Sequence, residues 1–323
     1  MATTDVANYK RTLLRFLHEI ADEQGIDLTV FSHGWIIRLQ KADQVRFIYG
    51  YSFDLNSATA QLIADDKSAV SDLLAFNKIP HVEHKMFLQP RQAHYVSTSG
   101  NWADMQAYAA QHKYQVVIKP NSGTSSGHGV LRATNQLELE QAVQELFTTH
   151  RNICLAPFYD IQQEYRVVVL NGHCELIYSK KRPVIIGDGL KTVAALIAQA
   201  VHQGHLTERM AAQALITFDA TLEQVLAPDQ PLTLDWRHNL GQGASPTFVT
   251  DEATLARLKP LALQTADALQ ITFASIDLIT VADELMVLEA NAGIMMEGFT
   301  RLAQDGPEIA KRIYSKAIAA MFS

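Results

Sequence analysis

Two strand-like runs near the C-terminus, residues 273–281 and 285–290, are almost wholly apolar, yet each carries one carboxylate, Asp277 and Glu289. With Ala282, Asp283 and Glu284 as the turn, Val281 falls opposite Leu285, Ile279 opposite Val287 and Asp277 opposite Glu289. Like charges facing each other across a strand pair are destabilising. The remaining positions are apolar on both faces, Ile276, Leu278, Met286 and Leu288 on one and Ile279, Val281, Leu285 and Val287 on the other, so the carboxylates are expected to be shielded from water. Two shielded anions are tolerated if one is protonated or if a cation sits between them. Asn291, two residues beyond Glu289, adds a neutral oxygen on the same strand face. Three hard oxygen donors without His or Cys suit Mg²⁺ completed by phosphate oxygens and water. A register shifted by one residue would carry one carboxylate to solvent, and the pattern alone leaves both arrangements open.

A second constraint lies mid-chain in the stretch VVIKPNSGTSSGHGV, which starts at Val116. The β-branched residues favour a buried strand, which Pro120 ends. Gly123, Gly127 and Gly129 allow tight turning and close approach to an anion, and Ser122, Thr124, Ser125 and Ser126 add hydroxyl donors. Lys119, leaving the strand beside this loop, is placed to hold a polyphosphate. Taken alone, such a loop is equally a hairpin tip with a solvated lysine. Lys67 stands at the entrance to a helix, where peptide N–H groups favour an anion, and is a candidate second phosphate contact or a solvated first-turn lysine.

Composition narrows the class. The 323 residues are 48% hydrophobic and 19% charged, enough for a sizeable core, with two or three packed subdomains expected. A formal net charge of -7 gives no overall positive field for nucleic acid or anionic lipid. No apolar run approaches a membrane span or a secretory h-region, which makes the cytoplasm the expected location. Cys154 and Cys174 sit in apolar runs and are expected as free thiols, and the 12 histidines form no close ligand pair that would suggest zinc.

Along the chain, helical spacing is expected over residues 9–21, strands over 29–37 and 45–51, and helices over 57–63 and 69–76. Helices at 101–111 and 137–147 flank the glycine loop, so that residues 83–153 make a compact unit of lid size, with the strand 153–157 as the hinge out of it. Two strands meeting at Asn171-Gly172 predict a hairpin with a two-residue turn. Beyond it come a basic cluster, a helix from Thr192, a mostly helical stretch over 201–228, a second glycine loop at 241–246, a helix over 252–269 and a last helix over 308–321. Arg166, Arg182 and Arg237 fall at strand ends, available to grip an anionic substrate or a phosphoryl group in transfer.

The segments DDKSAVSDLL, VVIKPNSGTSSGHGV, EYRVVVLNG, KKRPVIIGDGLKTVAALI, RHNLGQGASPTFVTD, ASIDLIT and LEANAGIMM occur in the order found in the ATP-grasp superfamily. Over most of residues 30–300 the chain resembles the branch containing the ATP-grasp half of cyanophycin synthetase and of bifunctional glutathione synthetase. The resemblance implies an α/β (α+β) ATP-grasp fold: a short N-terminal α/β domain over 1–82, a mobile lid subdomain over 83–155, and a C-terminal antiparallel-sheet core with the metal site over 156–323. It implies that Lys67 and Lys119 bind ATP phosphates, that Ser122, Gly123, Ser125, Ser126 and Gly127 close over them, and that Ala156, Phe158 and Asp160 stand at the nucleoside hinge. It further implies that Asp277, Glu289 and Asn291 bind Mg²⁺, or Mn²⁺ in its place, while Arg166, Arg182, Arg237 and Asn239 lie near the carboxylate substrate and its acyl phosphate.

Family chemistry phosphorylates a carboxylate with ATP and lets an amine attack the acyl phosphate, releasing ADP and phosphate. The expected activity is therefore an ADP-forming carbon–nitrogen ligase acting on amino acids or short peptides, with glutathione synthetase or a small-molecule kinase as alternatives. A nucleotide-binding module without turnover would need a missing metal ligand or phosphate lysine, and neither is missing. Where relatives carry a proline–glycine turn and basic residues after the metal asparagine, this chain has Ile294, Met295, Met296 and Glu297. A stand-alone ligase, or one working with separately encoded partners, is expected, and the resemblance allows a homodimer without the sequence fixing the oligomeric state.

Overall fold

The computed structural model describes residues 11–89, 102–123 and 129–323. They fall into two compact units, one comprising residues up to 178 together with 249–323, the other residues 179–248.

The first unit begins with α1 (Thr12–Gln24), whose Leu13, Leu14, Phe16, Leu17 and Ile20 are buried at the expected helical spacing. Arg11 offers no side-chain cap, and Glu297 substitutes from far along the chain, accepting the N–H groups of Thr12 at 3.1 Å and Leu13 at 3.2 Å. An antiparallel sheet follows in chain order: β1 (Asp27–Phe31), β2 (Ile36–Lys41), β3 (Gln44–Tyr49) and β4 (Ser52–Phe53). The strand expected over 29–37 is instead two, folded back at the 3-10 turn Ser32–Gly34 so that Phe31 faces Ile36. Ser32 and His33 take positive φ there, which hydrophobicity patterning does not register. Helices α2 (Ala58–Asp65) and α3 (Lys67–Phe76) come next, capped by the side chains of Ser57 and Asp66.

A second sheet in this unit consists of β5 (Lys85–Leu88), β6 (Val116–Pro120), β7 (Leu131–Ala133) and β8 (Asn152–Pro157), in the order β5-β8-β6-β7. Helices α4 (Trp102–Gln111) and α5 (Gln136–Phe147) cover one face, packing Met105, Tyr108, Leu139 and Leu146 against Phe87, Ile118 and Leu155. The other face carries Met86, Cys154 and Lys119 in a row, since Met86 and Lys119 are both register partners of Cys154.

The central sheet is built on β9 (Gln163–Leu170) and β10 (His173–Lys181), joined by the expected Asn171-Gly172 turn with φ of 48° and 73°. The chain passes into the second unit within β10, continuing through β11 (Val184–Ile186), α6 (Val193–His202), α7 (Glu208–Thr217), β12 (Pro231–Thr233) and β13 (Ser245–Phe248). That unit has its own core of Ile185, Val193, Leu196, Ile197, Leu226 and Leu234. Of the stretch 201–228 expected as mostly helical, α7 and a single 3-10 turn at Asp219–Thr221 are the helical parts beyond the end of α6.

Back in the first unit, α8 (Glu252–Ala268) leads to β14 (Phe273–Val281) and β15 (Glu284–Asn291), giving the order β10-β9-β14-β15. Leu258, Leu261 and Ala262 of α8 pack with Val70 and Leu74 of α3 on Ile276, Leu278 and Val287 of the sheet. The turn of the last hairpin is two residues, Ala282 and Asp283 at φ 49° and 68°, and not the three expected, so Leu278 faces Val287 and Ile279 faces Met286. A β-bulge between Asp277 and Leu278 takes up one residue of β15 and restores Asp277 to a position opposite Glu289. The expected faces change accordingly. Val287 and Leu285 join Ile276 and Leu278 in the main core, while Leu288 and Met286 join Ile279 and Val281 on the other side. Helices α9 (Glu297–Leu302) and α10 (Gly306–Met321) close the chain. Among the described residues no helix is long and apolar enough to cross a membrane.

Candidate active site

The paired carboxylates are where the strands meet. Asp277 is 1% exposed and lies between two partners, Glu289 on β15 and Arg166 on β9, each directly opposite. Arg166 donates from Nε to Asp277 Oδ1 at 2.7 Å and from Nη2 to Oδ2 at 2.6 Å, a bidentate pair. Burial works against the guanidinium charge, but the Asp277 carboxylate outweighs it, and Arg166 is held protonated more firmly than an ordinary arginine. Asn291 turns its amide nitrogen toward Glu289 Oε1 at 3.3 Å. Among the described residues no cluster of three or more His, Cys, Asp or Glu side chains forms a metal cage, so any cation here relies on two carboxylates and an amide oxygen.

The two expected phosphate lysines are brought together by Asn121, which is wholly buried. Its Oδ1 accepts the Ser68 N–H at 3.1 Å, and its carbonyl accepts the Lys67 N–H at 3.0 Å, with Lys67 Nζ 3.5 Å from the same oxygen. The start of α3 is thereby tied to the end of β6, where Lys119 sits. Lys119 is 8% exposed and makes no hydrogen bond or ion pair with a described residue. A buried ammonium without a counter-charge is costly, and an anion at this place would relieve it. Ser122 and Gly123 follow directly, the Gly123 N–H bonding the Asp65 carboxylate at 3.1 Å to Oδ2. Ser125, Ser126 and Gly127 lie outside the described residues.

The lysines and carboxylates share surroundings. Burial pushes the Cys154 thiol up to about 11, while Lys119 and Lys67 pull it down and Glu289 pushes it up, so all three charges act on one buried group. Beside them Ala156 of β8 packs with Val82 and Ile279, and Met286 and Leu288 border the same cluster. This apolar floor adjoining charged groups is the arrangement a nucleotide needs, base on hydrocarbon and phosphates on cations. The Phe158 N–H is taken by the Gln115 carbonyl and its ring lies 3.6 Å under the Arg132 guanidinium, while Asp160 is exposed.

Arg182, Arg237 and Asn239 belong to the second unit. Arg237 Nε pairs with Asp235 Oδ1 at 3.1 Å, and the Asn239 side chain caps a 3-10 turn by accepting the Gly241 N–H at 2.8 Å. Burial pushes the neighbouring His238 imidazole down to about 4, with Arg182 and Lys180 adding to the effect, which marks a positively charged corner of this unit.

Sequence reasoning missed Asn121, His84, Val82 and the siding of Leu288. Asn121 follows Lys119 by two residues and so shares its strand face, a signal that was available. His84 has no such signal among 12 histidines. The departure at Ile294, Met295, Met296 and Glu297 is structural: Ile294 and Met296 are buried, and Glu297 caps α1 and accepts from the Tyr51 hydroxyl at 2.9 Å.

Residues 190–316 match the model of the RimK-like ATP-grasp domain. The structure is similar to a bifunctional glutathione synthetase from Pasteurella multocida, with a TM-score of 0.56 and 16% identity over 94% of this chain and 44% of that one. The fold is ATP-grasp. A second ATP-grasp neighbour is D-alanine–D-alanine ligase from Bacillus anthracis, at TM-score 0.53 and 14% identity, covering 83% of this chain and 69% of that one. The same ligase complexed with ATP gives a TM-score of 0.50 and 15% identity, covering 82% and 66%. The chain thus spans less than half of the bifunctional enzyme. No curated protein matches it in sequence.

Proposed function

We propose that this chain is a cytoplasmic, ADP-forming ligase that joins the carboxylate of an amino acid or short peptide to an amine through an acyl phosphate. The observation that carries the reading is Lys119, buried and without an ion-pair partner among the described residues, sharing surroundings with Lys67 and Glu289. In this reading Lys67 and Lys119 hold the ATP phosphates, Gly123 and Ser122 begin the loop over them, and Ala156, Val82 and Leu288 floor the base. Arg166 offsets charge on the acyl substrate and the transferring phosphoryl group. Arg182, Arg237 and Asn239 are the second unit's own candidates for binding an anion.

Asp277, Glu289 and Asn291 fit a hard divalent cation, because each side chain carries an oxygen donor. Bound there, Mg²⁺ would draw charge from the phosphate oxygens. The chain's own contribution is to orient the nucleotide against two fixed ammonium groups and to keep the paired acids from solvent.

The test is ADP release with pools of amino acids and short peptides, followed by mass spectrometry of the products, with γ-glutamylcysteine plus glycine as one defined pair. Amide product with stoichiometric ADP is expected, and Glu289→Gln should reduce turnover at least a hundredfold by analogy with loss of a transition-state contact. Phosphorylated product without an amide would point to a kinase. Mg-ATP binding with no ADP from any mixture would reject turnover altogether.

A further inference from the structure

The second unit carries a cavity of its own, about 150 Å³ in volume. Pro183, Leu206, Met210 and Leu234 give it apolar walls, and Asp235 and Arg237 line it as well. Leu206 and Leu234 belong to the core of the unit, which fixes two of these walls. Met210 bridges α7 and the second glycine loop: its sulfur accepts the Thr207 N–H at 3.5 Å, and its methyl group fills the space that a Cβ at Gly243 would need. Arg237 is fixed at its root and open at its tip. Asp235 Oδ1 accepts the Arg237 backbone N–H at 3.0 Å and its Nε at 3.1 Å, while the two terminal nitrogens make no hydrogen bond with a described residue. A guanidinium held this way keeps free the parallel N–H fork that pairs with a carboxylate.

We infer that this cavity is a side-chain pocket for the acid substrate, a role that rests on the ligase reading above, and that it selects an amino acid or C-terminal peptide residue with an aliphatic side chain such as that of leucine. The substrate carboxylate lies on the Arg237 fork and the side chain enters between Leu206, Met210 and Leu234. Carboxylate and side chain leave the same carbon of an amino acid, so a cation and an apolar wall must line one cavity, as they do here. A charged side chain would lose its water there without gaining a partner, because Asp235 is already engaged by Arg237. Asp235 is thus a positioning residue for the guanidinium, and Met210, unbranched and adaptable, sets the depth of the pocket.

Calorimetry on the full chain, alone and with a saturating non-hydrolysable Mg-ATP analogue, reads binding without turnover for leucine, alanine, glutamate and the dipeptide alanyl-leucine. Leucine or alanyl-leucine should bind at least tenfold more tightly than alanine, and glutamate no better than alanine. The tighter of the first two shows whether the pocket takes a free amino acid or a peptide end. Met210→Ala, on protein whose melting shows it folded, deepens the cavity and should weaken leucine about fivefold while strengthening phenylalanine relative to the parent. Arg237→Gln should weaken every acid about tenfold and leave the ratio of leucine to alanine unchanged. Equal binding of leucine and alanine, a preference for glutamate, no binding of any of them in either state, or an equal loss of leucine and phenylalanine in Met210→Ala would each overturn the inference. Binding with the expected preferences but no ADP release once Mg-ATP replaces the analogue would keep the pocket and reject the ligase reading. ADP release and amide formation from acids indifferent to Met210→Ala would keep the ligase reading and reject the pocket.

Discussion

Arg166 holds Asp277 through two parallel hydrogen bonds, 2.7 Å and 2.6 Å long, from the position directly opposite it on the neighbouring strand. The same aspartate faces Glu289 on its other side. The central strand therefore carries an anion flanked by one cation and one further anion, and a second cation beside Glu289 would balance the row. Removing one partner of a buried pair leaves an uncompensated charge, which costs about 3–5 kcal/mol. Arg166→Leu should lower stability in urea by about that amount, and Mg²⁺ should restore more stability to the variant than to the parent. Unchanged melting of the variant without metal would mean the pair is idle.

Asn121 joins the helix that starts at Lys67 to the strand that ends beside Lys119. Asn121→Ala leaves the Ser68 N–H without its acceptor and is expected to cost about 1–2 kcal/mol. The Lys67 contacts are to the Asn121 backbone carbonyl and survive, but losing the side-chain brace loosens the start of α3 against the end of β6, so ATP affinity should fall by more than stability alone explains. Calorimetric binding at a temperature where the variant is fully folded separates the two effects.

Glu297 stands where the resemblance to the ATP-grasp branch implies a basic residue after the metal asparagine, yet here it receives two N–H groups of α1 and the Tyr51 hydroxyl. Glu297→Ala should destabilise the protein by about 2 kcal/mol through the lost cap and leave KM values for nucleotide and substrates unchanged. A shift in substrate KM with unaltered stability would return this residue to the site.

Burial lowers the pKa values of His84, His238 and His18 below the ordinary 6.5. In each case the unfolded chain binds the proton first, so stability is full above pH 6.5 and falls as the pH drops below it, toward about 4 for His238. Each histidine contributes a slope of up to about 1.4 kcal/mol per pH unit in that window. Urea melts at pH 7.5, 6 and 5 should show the decline, and His238→Gln should flatten it. A profile level from pH 7.5 to 5 would contradict the burial of these rings.

What the sequence disclosed of the site was the company of residue types, and what it concealed was backbone detail. The opposition of Asp277 and Glu289 was readable, but through a three-residue turn that does not form. The real turn is one residue shorter and the bulge near Asp277 adds that residue back, so two local irregularities cancel at the one pair that matters. The Asn171-Gly172 turn was legible because those residues favour left-handed φ, whereas Ala282 and Asp283 adopt it without advertising it. Likewise the break at Ser32 and His33 lies in residues that elsewhere continue a strand. Lys67 and Lys119 were individually visible, but their proximity depends on Asn121, whose partners are 53 residues away for Ser68 and 54 for Lys67. Long-range polar contacts of that kind leave no periodic trace.

The Ala282-Asp283 turn itself yields the last prediction. Both residues hold positive φ, 49° and 68°, in a two-residue connection whose twist favours Asn followed by Gly. A non-glycine residue in this region costs roughly 1 kcal/mol relative to glycine. Asp283→Gly should therefore stabilise the hairpin, because the Asp283 contacts that hold the turn are made by backbone: its N–H donates to Gln162 Oε1 at 3.2 Å and its carbonyl accepts from Arg257 Nη2 at 2.6 Å. The gain is expected near 1 kcal/mol in urea, with the Asp277–Glu289 register untouched and Mg-ATP affinity within twofold of the parent. Destabilisation by the glycine would show that the turn is not left-handed at this residue, and a loss of ATP affinity would show that the turn, and not the bulge, sets the register at the carboxylates.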